Sequence, residues 1–227
     1  MTVSERILLR GAVLISAPSG EYDRRVVLLT ADRGRITAFA RGARRQNSPL
    51  LAATRPYVFG SFELFEGRSA YTLVGAVPDR FFEGIAADVE AACYAAYLAE
   101  LAVYASRENQ PAADILNLLY VSLRALEKPS LPNELVRRVY ELRMLRAMGE
   151  YYDTLPQKAV QNAPETVREA AAYAYDHALF APLEKLYTFV VIPEVMAVLG
   201  RAADLQMKEF VDRRFHSLEI LESMRSF

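Results

Sequence analysis

The hydrophobic period of this chain changes once, near Arg80, and that change limits the folds open to it. Up to Arg80, apolar residues alternate with polar ones in short runs broken by Gly, Pro, Asp and Ser, which is the pattern of strands with one covered face. From Phe81 onward they recur at helical spacing, the pattern of amphipathic helices. A chain of 227 residues can build two cores. The sequence therefore predicts an α+β multidomain protein: a five-stranded β-barrel domain over residues 1–80, then an all-α helical domain over residues 81–227.

Strand one is expected from Ser4 to Ser16, with Ile7, Leu9, Gly11, Val13 and Ile15 on one face and Leu8, Arg10, Ala12, Leu14 and Ser16 on the other. Gly11 falls where a barrel strand often bends sharply. Ala17-Pro18-Ser19-Gly20 is turn chemistry. Arg24 and Arg25 then lead an apolar run, Val26 to Leu29, that ends at Thr30-Ala31-Asp32-Arg33-Gly34, a hairpin signal. Beyond it Arg35, Thr37, Phe39 and Arg41 share one face of a strand, and Ile36, Ala38, Ala40 and Gly42 the other. Tyr57 to Phe65 and Tyr71 to Val77 supply two more strands, with Pro78-Asp79-Arg80 closing the segment. No helix-period pattern interrupts them. Short strands in this number suit a small closed barrel that buries its sheet edges.

Charge is unevenly distributed. The whole chain is nearly neutral, but residues 1–80 carry twelve arginines against seven acids, a net of +5, and the remainder carries a net of −6. The basic excess is concentrated between Tyr22 and Arg45, where Arg24, Arg25, Arg33, Arg35, Arg41, Arg44 and Arg45 face only Asp23 and Asp32. Guanidinium groups follow phosphates while an aromatic ring stacks on any base, so these arginines with Phe39 form a candidate single-stranded nucleic-acid surface. The loop Gly42 to Ser48 continues it with hydrogen-bond donors able to position a phosphate backbone.

In the second half, Asp88 opens a helix whose stripe is Val89, Cys93, Tyr97, Leu101 and Tyr104, with Cys93 expected in the core. Pro111 and Pro132 sit where prolines begin helices, and Gly149 where glycine ends one. Between Pro132 and Gly149 the buried face is expected to be Leu135, Val139, Leu142, Leu145 and Met148. Arg137, Arg138, Arg143 and Arg146 lie opposite it, as a solvated helix face or as a dock for an acidic partner. Gln157 to Pro164 reads as a linker. Helices are expected from Glu165 to Leu179, Leu183 to Leu199 and Asp204 to Met224, with Pro193 bending or splitting the middle one.

No residues nominate covalent chemistry. His177 and His216 lack ligand-spaced neighbours, a single cysteine excludes an all-cysteine zinc site, and no nucleophile elbow, phosphate loop, paired-histidine zinc motif or dinucleotide fingerprint occurs. No cofactor, metal or catalytic residue is expected. The first apolar runs are too broken for a signal peptide, and Tyr187 to Leu199 is too short to span a bilayer. A cytoplasmic, nucleoid-associated location is expected.

The run from Asp23 through Val26, Leu28, Leu29 and Thr30 to Gly34-Arg35-Ile36, Gly42-Ala43-Arg44-Arg45 and Arg55-Pro56-Tyr57 resembles the RecO family of bacterial recombination mediators. Ala95 to Leu101, Glu141 to Gly149 and His216 to Leu218 extend the likeness along most of the chain. The resemblance implies an N-terminal OB-fold barrel, a helical C-terminal domain, binding and annealing of single-stranded DNA, and work with RecR and single-strand binding protein to help load RecA. It also implies that the helical domain receives the acidic, aromatic-ended tail of single-strand binding protein. Many members carry a four-cysteine zinc module soon after the position of Gly149. This chain has Tyr151-Tyr152-Asp153-Thr154-Leu155-Pro156 there, without cysteine. An adaptor whose barrel is only a scaffold and whose helical half recruits partners is the alternative.

Overall fold

A computed structural model describes residues 6–225. Five strands, β1 (Arg6–Ser19), β2 (Asp23–Thr30), β3 (Gly34–Ala40), β4 (Phe59–Glu66) and β5 (Tyr71–Arg80), close into a barrel in the order β1-β2-β3-β5-β4. Neighbours are antiparallel except β3 and β5, which run parallel, and β4 closes onto β1. This is an OB-fold, and it leaves no long unpaired edge. Ser4 and Glu5, where strand one is expected to begin, lie outside the described residues.

The alternation read for β2 and β3 holds. Val26 and Leu28, then Ile36, Ala38 and Ala40, point into the barrel core with Phe62, Leu64 and Leu73. In β1 the register against β2 slips between Val13 and Ile15. That bulge turns Ile15 outward, 39 % exposed, so its expected place on the core face is corrected. Gly11 has a steric reason: a Cβ there would lie 2.4 Å from the Leu29 carbonyl oxygen. A second correction is helix α1 (Leu50–Ala53), whose Leu50 joins the barrel core. Four residues are too few for helical periodicity to show in a sequence. β5 also runs on past Pro78, which pairs with Gly60.

The described residues form two compact units. One contains the chain up to Glu83 together with Ala99–Leu116; the other contains Gly84–Leu98 and the chain from Asn117. Ala99–Leu116 is tied to the turn end of the β2–β3 hairpin: Arg35 N–H donates to Arg107 O at 3.2 Å, Asn109 N–H to Arg33 O at 2.9 Å and Ala112 N–H to Ala31 O at 2.8 Å. Gly34, at φ +63°, admits this approach, because a Cβ would sit 2.1 Å from the Arg107 oxygen.

The helices are α2 (Glu83–Ala87), α3 (Val89–Ala105), α4 (Ala113–Leu126), α5 (Asn133–Met148), α6 (Glu165–Phe180), α7 (Pro193–Phe210) and α8 (His216–Arg225). Pro132 precedes α5, and Gly149 ends it at φ 78° with Gly149 N–H on Arg146 O and Glu150 N–H on Leu145 O. Three expectations need correction. Pro193 does not bend a helix; it starts α7, where its missing N–H costs nothing, and only a 3-10 turn, Leu183–Lys185, precedes it. The helix expected over Asp204–Met224 is two helices, α7 ending at Phe210 and α8 starting at His216. On α3 the large buried side chains are Tyr94, Tyr97, Leu98 and Leu101, whereas Val89 is exposed and Cys93 only half-buried.

Helix α5 departs furthest from its expected amphipathic form. Every residue from Leu135 to Leu145 is buried, including Arg137, Arg138 and Arg143 at 5 %, 9 % and 7 % exposure. Neither the solvated face nor the accessible dock holds for these three. Glu141, 1 % exposed, accepts from Arg137 Nε at 2.8 Å, Arg138 Nη1 at 3.0 Å and the Tyr97 hydroxyl at 2.7 Å. Arg138 is also held by Glu134 at 2.7 Å and Asp204 at 2.6 Å, and Arg137 lies 5.3 Å from the Tyr97 ring centroid. Arg143 donates to the carbonyls of Leu179 and Ala181 at the end of α6. Of the four, Arg146 alone is exposed, 5.2 Å from the Phe180 ring centroid.

Removing a partner from a buried ion cluster leaves charge without compensation. Glu141→Ala is expected to lower unfolding free energy by about 3–5 kcal/mol, measured by urea denaturation. A loss no larger than that of an exposed Glu219→Ala control contradicts the reading. Burial, followed by Glu141, pushes the Tyr97 phenol well above its ordinary value of 10.0. Burial also raises Tyr140 and Tyr187, and Tyr175 is pushed up to about 12. The folded state thus holds these protons more tightly than the unfolded chain does. Their contribution is fully present below about pH 10 and lost as pH rises through the folded values; denaturation midpoints are expected to fall across that range, together with tyrosinate absorbance appearing.

Candidate nucleic-acid interface

The sequence-predicted surface divides into two ends of the barrel. Strand pairing places Arg25 opposite Phe39, and Phe39 opposite Thr72 of β5. Arg25 and Phe39 both face outward and are exposed, Phe39 at 38 %. Arg41, Arg44 and Arg45 follow in the loop after β3, all exposed. That loop is pinned rather than loose. Ala43 is inserted in the barrel core, Gly42 N–H donates to Asp23 Oδ1 at 2.7 Å, and Arg44 N–H donates to Tyr22 O at 2.8 Å. The Arg45 guanidinium lies 5.1 Å from the centroid of the Tyr22 ring, which is 45 % exposed.

Arg24 is differently placed. It shares the inward parity of Val26 and Leu28, at the rim of the barrel, and its Nη1 donates to Leu51 O at 3.0 Å and Thr54 Oγ1 at 2.8 Å, closing the end of α1. Burial lowers its pKa, and the neighbouring charges of Arg55 and Arg44 lower it further. Arg55 is exposed, so this end holds a basic residue that the sequence-predicted surface does not include. Tyr22, too, was given no role there. The available signals were Arg55-Pro56-Tyr57 after α1 and the aromatic that opens the arginine-rich stretch. Neither signal could show that folding returns both residues to the same rim.

Arg33 and Arg35 do not join this group. They lie at the hairpin-turn end of β3, which separates Arg33 from Arg41 by roughly 20–25 Å. Arg35 is half-buried and donates from Nη1 to Val103 O at 3.0 Å, a hydrogen bond that holds Ala99–Leu116 to the barrel. Arg33 is half-buried in the turn, its N–H on Thr30 Oγ1 at 3.2 Å.

Among the described residues Arg33 and Arg35 form no ion pair either but are half-buried, whereas the arginines of the Arg25–Arg45 end are both unpaired and, except for Arg24, exposed. On β1, by contrast, Arg6 pairs with Glu63 of β4 and Arg10 with Asp79 of β5 at 3.1 Å. Among the described residues, none of Arg24, Arg25, Arg41, Arg44, Arg45 and Arg55 forms an ion pair. Arg44 is held by neutral groups, the Gly20 and Glu21 carbonyls at 3.3 and 3.1 Å. The result is a rim of uncompensated guanidiniums beside two exposed rings, able to take phosphates and stack bases. Among the described residues no group of His, Cys, Asp and Glu is set to hold a metal ion, and no helix is long and apolar enough to cross a membrane.

Comparison with known proteins agrees with this architecture. The family model "Recombination protein O N terminal" matches residues 4–80, and "Recombination protein O C terminal" matches residues 86–154. DNA repair protein RecO of Acetivibrio thermocellus is 28 % identical over 94 % of this chain and 95 % of its own length. The RecO proteins of Alkaliphilus metalliredigens and Bacillus subtilis are 37 % and 33 % identical over 63 % and 62 % of this chain, covering 58 % and 55 % of theirs. With both domains matched, the chain belongs to the RecO family of DNA repair proteins, non-catalytic recombination mediators.

Proposed function

We propose that the chain binds single-stranded DNA at the Arg25–Phe39–Arg41–Arg45 rim of its barrel and anneals complementary strands, acting with RecR and single-strand binding protein to assist RecA loading. The observation that carries this reading is the set of arginines left without carboxylates beside Phe39 and Tyr22. Two complementary strands repel each other through their phosphates. Uncompensated guanidiniums lower that repulsion, and base pairing then supplies the free energy, so strand joining needs no covalent chemistry.

Binding through counterion release has a measurable signature. Five or six phosphate contacts give a log–log salt slope of about −3.5 to −4 for single strands. Replacing Arg25, Arg41 and Arg45 together with alanine is expected to reduce that slope by about 2, read by fluorescence anisotropy with a labelled oligonucleotide. Arg33→Ala is expected to leave the slope unchanged, where a lost phosphate contact would shift it by about 0.7. An unchanged slope in the triple variant contradicts the assignment.

The helical unit supports a partner role through a groove other than the α5 arginines. A cavity of about 420 Å³ is lined by Tyr120, Val121, Arg124, Lys128, Leu183 and Tyr187, with Glu184 as its one acid. Basic heads over an apolar floor suit an acidic peptide ending in an aromatic residue, the chemistry of the single-strand binding protein tail. The larger cavity, about 590 Å³, carries five acids, among them Asp204, Asp212 and Glu219, against four bases, and suits such a tail less well. Charge reversal of Arg124 and Lys128 is expected to weaken binding of a tail peptide about tenfold or more, whereas Arg146→Glu is expected to have little effect. The opposite ranking moves the dock to the Arg146–Phe180 surface.

A further inference from the structure

The rim also contains a feature that a continuous DNA backbone does not require. Arg24 reaches Thr54, the residue before Arg55, and the Arg44 N–H donates to Tyr22 O, two residues before Arg24. The charges of Arg55 and Arg44 both act on Arg24, and two of the three guanidiniums are fixed in place. Arg24 is held by Leu51 O and Thr54 Oγ1, and Arg44 by the Gly20 and Glu21 carbonyls. These acceptors are neutral, so they orient the guanidinium forks without cancelling charge. Among the described residues no other hydrogen bond engages the Arg24 or Arg44 guanidinium. The carboxylate beside Arg24 in sequence, Asp23, is turned to the Gly42 amide. Among the described residues none of the three forms an ion pair, and Arg24 is half-buried, where charge is less screened.

We propose that Arg24, Arg44 and Arg55 form an anchoring subsite for a terminal phosphate monoester, so that the protein distinguishes phosphorylated strand ends from hydroxyl ends. The inference rests on the single-strand reading and adds an end preference to it. A backbone diester brings one negative charge, whereas a terminal monoester brings about −1.5 to −2 at neutral pH with three acceptor oxygens. Three guanidiniums match the second group better, since each can offer parallel N–H donors. Position agrees with chemistry. Arg25 and Phe39 lie on the outward face along which a strand can extend, while Arg24 has inward parity at the rim, backed by α1. A strand crossing Phe39 toward Arg24 meets the closed end of the barrel, a place for a terminus.

The test compares the full chain binding three otherwise identical internally labelled single strands: hydroxyl at both ends, 5′-phosphate and 3′-phosphate. One phosphorylated strand is expected to bind at least about threefold more tightly than the hydroxyl-ended one, the size of an added charge-assisted contact. Arg55→Gln is expected to weaken all three and bring their ratio to one. Equal affinities in the wild-type chain overturn the subsite and leave single-strand binding standing; no binding to any strand overturns both. Competition by a nucleoside 5′-monophosphate as effective as the phosphorylated strand assigns the subsite to free nucleotides and overturns end recognition.

Discussion

The acceptor each arginine meets governs this molecule. A guanidinium bound to a carboxylate is neutralised locally and serves the fold; one bound to a carbonyl, a hydroxyl or an aromatic ring is oriented but still cationic. In the helical unit Arg137 and Arg138 meet Glu141, Glu134 and Asp204, which makes burial of α5 on all sides tolerable. On the β1 and β4 side of the barrel, Arg6 and Arg10 meet Glu63 and Asp79. At the rim, Arg24 and Arg44 meet carbonyls and a hydroxyl, and Arg45 meets Tyr22. Arg35 and Arg143 also meet carbonyls but are half-buried and buried, whereas Arg44 and Arg45 at the rim are exposed.

The barrel is what keeps that charge in one place. Alternation along β2 and β3 sends Val26, Leu28, Ile36 and Ala38 inward, so Arg25 and Phe39 must point outward side by side. Ala43 anchors the following loop in the core, which presents Arg41, Arg44 and Arg45 without the entropy of a free loop. Helix α1 fills the end of the barrel and gives Arg24 its acceptors. The hydrophobic core and the basic rim are therefore two consequences of the same strand register. A one-residue slip of β3 against β2 would bury Phe39 and expose Ile36 and Ala38.

Much of this was legible in the sequence because it depends on near neighbours. The hairpin around Thr30–Gly34, the faces of β3, the Pro132 start and the Gly149 stop each follow from residues a few positions apart. Long-range partners were not legible. Arg35 looked like a surface donor until Val103, far along the chain, supplied its acceptor. Arg137, Arg138 and Arg143 looked like one polar helix face. The local clue to the first two was Glu141, while Asp204 on α7 and the end of α6 lie too distant in sequence to be read. The Ile15 bulge and the four residues of α1 were missed for the opposite reason: each is shorter than the period that would announce it.

The most direct measurement of the central claim is the position of crosslinks formed with a photoreactive single-stranded oligonucleotide, mapped by peptide mass spectrometry. Crosslinks on Tyr22, Phe39 and the 41–45 loop are the predicted result. Crosslinks confined to the ion-paired Arg6–Arg10 strand, to the Arg33–Arg35 end or to the helical unit contradict the account.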